Sequence, residues 1–190
     1  MIVSDVEICS MALVKIGANA IASLDDDTVE ADVARRLYEA TLRGLIASHP
    51  WHFTLAESDL EPINEAAQAG FSHVFALPAD YLRIISAGAS HRARGLEYRV
   101  AGDRLFSHSG RVVLSYQRRP ETAAFPAFFV QALVARLAAE FCLPLTEGTS
   151  RADALYRLAA AEQKIARLID SQQATPRAVE DFTLIVARSS

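Results

Sequence analysis

The hydrophobic period of this chain changes twice, each time beside a proline. Up to the segment His49-Pro50-Trp51-His52-Phe53, apolar residues recur every three or four positions, the mark of helices with one buried face. From Trp51 to Arg119 they alternate with polar residues in short runs broken by turn sequences, which is the period of strands. At Pro126 the helical period returns. Such a chain must build a helical body from two separated segments, with a small β region between them. The expected fold is α+β and mainly helical: a four-helix body, a small antiparallel β insert and an extended C-terminal arm. Residues 1–50 and 121–171 supply the body, 51–120 the insert and 172–190 the arm.

The first helix opens on Ser4-x-x-Glu7, a capping box that satisfies free backbone donors. Val6, Cys9, Leu13 and Ile16 mark its buried face, and Gly17 ends it, because glycine enters the left-handed cap conformation cheaply. Asp25-Asp26-Asp27 precedes the second helix, where negative charge complements the helix dipole. Calcium loops need alternating ligands, a glycine and a distant glutamate, and this run has none of them. The second helix is expected from about Val29 to Ala47. Val29, Val33, Leu37, Tyr38, Leu42 and Leu45 form its inner face, and Asp32, Arg35, Arg36, Glu39 and Arg43 its outer one. The pairs Asp32–Arg36, Arg35–Glu39 and Glu39–Arg43 are spaced i,i+4. A mixed-charge face of this kind also suits contact with another copy. Pro50 stops the helix, and Trp51 should lock the turn against the body.

In the β region, Phe53 and Leu55 alternate with polar neighbours, as do Phe71, His73, Phe75 and Leu77. Further strand-like runs are 83–85, 98–100, 104–106 and 111–116, with turns at 101–103 and 107–110. This spacing predicts one antiparallel sheet with hairpins. Within Leu77-Pro78-Ala79-Asp80-Tyr81-Leu82-Arg83, Asp80 follows Pro78 by two residues and reads as a turn former.

Pro126 should begin a third helix ending near Leu143 at Pro144, apolar almost all round and therefore central. Gln131, Arg136 and Glu140 interrupt it, which favours a buried helix over a membrane span. Thr149 or Ser150 should cap a fourth helix to about Ser171, with Leu155, Leu158, Ala161, Ile165 and Leu168 as its apolar stripe and Arg157, Lys164 and Arg167 as a basic one. Beyond Pro176, the run Phe182 to Val186 fits an edge strand of the chain's own sheet or an arm added to another subunit.

The search for chemistry yields little. There is no glycine-rich phosphate loop, no nucleophile elbow and no histidine–cysteine group with zinc spacing. The two cysteines, Cys9 and Cys142, fall on buried helix faces and read as reduced core thiols. No signal peptide pattern is visible. A net charge of −4 argues against tight sequence-independent binding of nucleic acid. We therefore expect no catalytic residue, no cofactor and no metal site.

The segments, taken in order, resemble the head–tail adaptor (connector) proteins of tailed phages. They are similar to the tubular tail and head-completion proteins of short-tailed phages. The resemblance spans about Ser4 to Ser171. It is carried by Lys15-Ile16-Gly17, Leu24-Asp25-Asp26, the helix from Ala31 to Tyr38, Ser48-His49-Pro50-Trp51-His52-Phe53 and Leu77 to Arg83. Val113-Leu114-Ser115-Tyr116, Leu137-Ala138-Ala139-Glu140 and Pro144-Leu145-Thr146 complete it. The resemblance implies a non-enzymatic ring, often of twelve copies, in a virion or phage-like particle assembled in the bacterial cytoplasm. The ring would sit below the portal protein, join it to a tail or stopper protein and let DNA pass without tight binding; no membrane is implied. Phe182, Leu184, Ile185, Val186 and Arg188 would form a portal-docking arm. Asp32, Arg35, Arg36, Glu39 and Arg43 would meet the next subunit, and Pro50, Trp51, Pro78 and Asp80 would be structural junctions. The β region is shorter than in the longer tubular proteins, which leaves both a short-tail nozzle and a long-tail stopper as the lower partner. Two other classes remain: a cell-wall or nucleic-acid hydrolase using Asp80, Glu140 or a histidine, and a DNA-binding regulator using the basic stripe of the fourth helix.

Overall fold

The computed structural model describes residues 3–67, 70–91 and 95–174. The fold is α+β and mainly helical, with four α-helices and two small antiparallel sheets among the described residues. The arm residues Phe182, Leu184, Ile185, Val186 and Arg188 lie outside the described residues.

Helix α1 (Asp5–Lys15) starts at the capping box: the Glu7 amide donates to Ser4 Oγ at 3.2 Å, and the Ser4 amide donates to Glu7 Oε2 at 2.7 Å. At its far end Gly17 has φ +77°. There the Ala18 amide reaches the Leu13 carbonyl and the Gly17 amide that of Val14, each at 3.0 Å, closing a Schellman motif. In the acidic link, Asp26 accepts the amides of Ala22 and Ser23 at 2.9 and 3.0 Å. Helix α2 (Val29–Ala47) is capped by Thr28 and buries Ala31, Ala34, Tyr38, Leu42, Leu45 and Ile46. Val29, expected on that face, is exposed; as the first helical residue it precedes the stretch that meets the body. The Asp32–Arg36 and Glu39–Arg43 pairs form at 2.8 Å. Arg35–Glu39 does not: Arg35 turns back to Asp32 at 2.6 Å, and Glu39 takes Arg119 at 3.1 Å.

After a 3-10 turn at His52–Thr54, which takes Phe53 out of the expected strand alternation, come β1 (Leu55–Leu60), β2 (His73–Ala76), β3 (Tyr81–Gly88), β4 (Tyr98–Ala101), β5 (Arg104–Ser107) and β6 (Val112–Arg118). They form two three-stranded sheets, β1-β6-β3 and β2-β5-β4, rather than one. Among the described residues only β4 and β5 make a tight hairpin. Gly102, at φ +60°, takes the first central position of its two-residue turn, where glycine is favoured. The division has a local cause in the serine-rich turn after β5. Buried Ser107 donates to the Glu97 carbonyl at 2.8 Å and accepts the Ser109 amide at 3.3 Å. The chain is thereby redirected before β6 starts, and β6 pairs with β1 and β3 instead. Phe75 and Leu105 of one sheet pack with Leu60, Val112, Leu114 and Tyr116 of the other.

Helix α3 (Ala127–Thr146) is the central helix, packed against α1, α2 and α4. Pro144 does not end it. The helix continues to Thr146, and Glu147 closes it in the left-handed region at φ +55°. A proline this close to a helix end sacrifices one backbone donor, and Thr146 Oγ1 donates to the Cys142 carbonyl at 2.6 Å, supporting the last turn.

Helix α4 (Thr149–Ser171) begins after Gly148 with no side-chain cap, so neither Thr149 nor Ser150 has the expected role. Its orientation also reverses the expectation. Ala152, Ala159, Ala166 and Asp170 are buried, and Leu155 packs at their edge, whereas Leu158, Ile165 and Leu168 are exposed. The contact with α3 is the most extensive between helices, and alanines permit that close approach where leucines would hold the helices apart.

Cys9 and Cys142 are buried free thiols. Burial, aided by the Asp5 carboxylate, pushes the Cys9 thiol up to about 12.

Candidate functional site

The chemistry of the molecule concentrates where α2 gives way to the β region. Helix α2 ends at Ala47, and its last carbonyls are taken by groups from elsewhere. Trp51, fully buried, donates its indole N–H to the Leu45 carbonyl at 3.0 Å. Arg83 on β3 donates to the Ala47 carbonyl at 2.8 Å, supplying the cation that the last turn of α2 lacks. Gln117 on β6 is also fully buried. Its Nε2 approaches the carbonyls of Ile46 and His49 and the Thr54 hydroxyl at 3.1, 2.7 and 2.9 Å, while its Oε1 is left without a partner. Around Trp51 stand Phe53, Phe128 and Phe129, with Trp51–Phe129 edge-on at 5.2 Å and Phe53–Phe129 at 4.8 Å.

Asp170, 1% exposed, comes to the same place from the last turn of α4. Its carboxylate accepts the His52 amide at 3.1 and 3.2 Å, meets His52 Nδ1 at 3.0 Å and lies 3.6 Å from His49 Nε2. The two histidines, which a regular helix could not place on one face, are thus gathered by one acid. Burial holds the His49 imidazole below its ordinary value; Asp170 pulls the other way, and Arg167 and His52 add to the depression.

An aspartate–histidine contact can orient a general base, but here the carboxylate is also committed to a backbone amide. Among the described residues, no hydrogen bond joins His49 or His52 to a serine, threonine or cysteine side chain. Ser48, although adjacent, donates to the Leu45 carbonyl at 2.7 Å and accepts from Gln163 at 2.8 Å. The arrangement is a clasp joining α2, β6 and α4 at one junction.

Beside it a cleft of about 560 Å³ runs between α2, α3 and α4. Its polar groups engage one another. Arg136 pairs with Glu140 at 2.7 Å, Tyr156 donates to Glu140 at 2.9 Å, and the Arg136 guanidinium lies 5.2 Å from the Tyr156 ring centroid. Arg167 turns inward, reaching the Ser48 carbonyl and hydroxyl at 3.3 Å, with its buried Nε unpartnered. The expected basic stripe is therefore reduced to Arg157 and Lys164, both exposed.

Asp80 sits in the turn entering β3, where the Tyr81 amide donates to the Pro78 carbonyl at 3.1 Å; its carboxylate accepts from the Tyr116 hydroxyl at 3.2 Å. His91 lies 3.3 Å from Glu57, and His108 lies 3.3 Å from Ser72, both remote in sequence from the clasp. Among the described residues no group of three or more His, Cys, Asp or Glu side chains is gathered to hold a metal ion.

Asp170 was not singled out from the sequence. Its signal was present: an acid in the last turn of a helix opposes the dipole, and Asp170 follows Ala159 and Ala166 on one face. No family model matches the chain, and no curated protein matches it.

Proposed function

We propose that the chain is a structural subunit of a tailed phage or phage-like particle, a head–tail adaptor that assembles as a ring below the portal and continues the DNA channel toward the tail. The observation that carries this reading is the exposed apolar ridge on α4, with Leu158, Ile165 and Leu168 at 46%, 53% and 62% exposure. An amphipathic helix normally buries its largest apolar residues. Here alanines face the body and the leucines face outward, as suits a helix with a second partner. The net charge of −4 agrees with a channel that does not grip phosphates, and the junction residues are engaged in holding the elements together.

Electron microscopy of the purified chain, alone and mixed with the portal protein of its particle, tests the reading. Rings seated on the portal are expected; a chain that stays monomeric in both conditions overturns it. The arm keeps its proposed role on the portal. Deleting residues 172–190 should leave a folded subunit whose melting curve is unchanged but which no longer sediments with portal rings. Unfolding of the truncated chain would assign that segment to the core instead.

A further inference from the structure

Two apolar surfaces of the helical body are uncovered, and they differ in shape. One is the α4 ridge, where Ala154, Leu158, Ala161, Ile165 and Leu168 follow one another at alternating spacings of four and three. At ~100° per residue this set points roughly 140° away from buried Ala152, Ala159 and Ala166. The other is a groove of about 390 Å³ between α1 and α3. Val130 and Val134 form its floor, and Met11 and Val14 (62% exposed) its walls. On α3, Val130 and Val134 lie roughly 120° around the axis from Arg136 and Glu140, the residues that meet Tyr156 of α4. The ridge points away from the body, so a chain cannot fill its own groove with it.

The charges beside these surfaces point the same way. On α2, Asp32, Arg35, Arg36, Glu39 and Arg43 are matched within the chain. Glu162, Arg157 and Lys164 flank the ridge, and Lys15 stands at the groove. None of these four side chains has a hydrogen bond or ion pair among the described residues. Resting on the assembly reading above, we infer that the α4 ridge of one copy seats in the α1/α3 groove of the next, with Glu162 facing Lys15 across the rim. A two-fold pairing of α4 with α4 would cover the ridge and leave Met11 and Val14 bare. The ridge-to-groove contact covers both, and because it joins unlike faces it repeats from copy to copy, which a ring requires.

Native mass spectrometry of Ile165→Glu and Val14→Glu tests the contact, both positions being exposed in the folded chain. Each variant alone should be monomeric with an unchanged melting curve. An equimolar mixture should give pairs containing one of each and nothing larger, because only one intact ridge and one intact groove remain. Oxidising an Ile165→Cys/Val14→Cys double variant should produce a covalent ladder, while either single variant should not cross-link to itself; Cys9 and Cys142 are buried. If Val14→Glu assembles like the wild type, or Ile165→Cys alone cross-links, the contact is overturned. Wild-type rings that Val14→Glu also forms would sink this contact and leave the assembly reading standing. A wild-type chain that stays monomeric alone and with the portal would sink both.

Discussion

Asp170 occupies a position that a helix tolerates poorly. A carboxylate in the last turn faces the negative end of the dipole, at a cost of about 0.3–1 kcal/mol, and burial adds to it. The charge-assisted contact with the His52 amide, at the start of the 3-10 turn, offsets that cost. Trp51 anchors the same junction with a fully buried ring and an indole hydrogen bond. Trp51→Ala should cost about 3–5 kcal/mol, as large aromatic truncations in cores do, read as a lowered urea midpoint at unchanged slope; a loss below about 1 kcal/mol would remove the anchor role. His49 makes the junction sensitive to pH. Its folded-state value is depressed, chiefly by burial, so the unfolded chain binds the proton more readily. The stability contributed by the neutral ring is full above the unfolded value of about 6.5 and is lost as pH falls through the folded value. The urea midpoint should therefore drop between about pH 7.5 and pH 5.5, and His49→Gln should flatten that drop. An unchanged slope in the variant would assign the pH response to other groups. Trp51 and Pro50 were legible because each acts on its neighbours in sequence. The clasp was not, since Asp170 lies 118 residues from His52 and only the packing of α4 brings them together.

At the level of elements, the capping box placed α1 and turn chemistry the β4–β5 hairpin from sequence alone, because those signals act over three or four residues, and apolar spacing with Pro50 placed α2. Of the expectations that failed, two were decided by local geometry and one by tertiary packing. Pro144 stays within α3 at the loss of one backbone hydrogen bond, where the Thr146 hydroxyl supports the last turn through the Cys142 carbonyl. The strands separate into two sheets because the turn from Ser107 to Gly110 redirects the chain. The α4 stripe faces outward because periodicity reports that a helix has an apolar side without saying which partner covers it. This last reversal has a direct test. Ala159→Leu or Ala166→Leu should force α4 from α3 and cost about 1–3 kcal/mol, the range for overpacked cores. Leu158→Ala or Leu168→Ala should change monomer stability by no more than about 0.5 kcal/mol. Thermal melts of dilute protein separate the two sets, and a loss in the leucine variants with none in the alanine variants would place the leucines, not the alanines, against the body.

At the scale of the molecule, the two apolar clusters of the described residues, one helical and one between the sheets, must unfold together if the subunit is to behave as a rigid unit. The link is β6. It packs Leu114 and Tyr116 into the β cluster and sends Gln117, one residue further on, into the helical junction. Alternation along a strand makes this possible, since neighbouring side chains point to opposite faces. Gln117→Ala removes three contacts from Nε2 and also removes an unpartnered buried Oε1. The net cost should therefore fall in the lower part of the roughly 1–3 kcal/mol typical of buried polar losses. The more telling effect is on coupling. In the wild type, amides of Leu105 and Leu133 should lose hydrogen-exchange protection at the same denaturant concentration. In Gln117→Ala, Leu105 should exchange first, while fluorescence of the lone Trp51 still reports a folded helical body. Joint loss in the variant would show that Arg83 and the strand backbone hold the two clusters together without the glutamine.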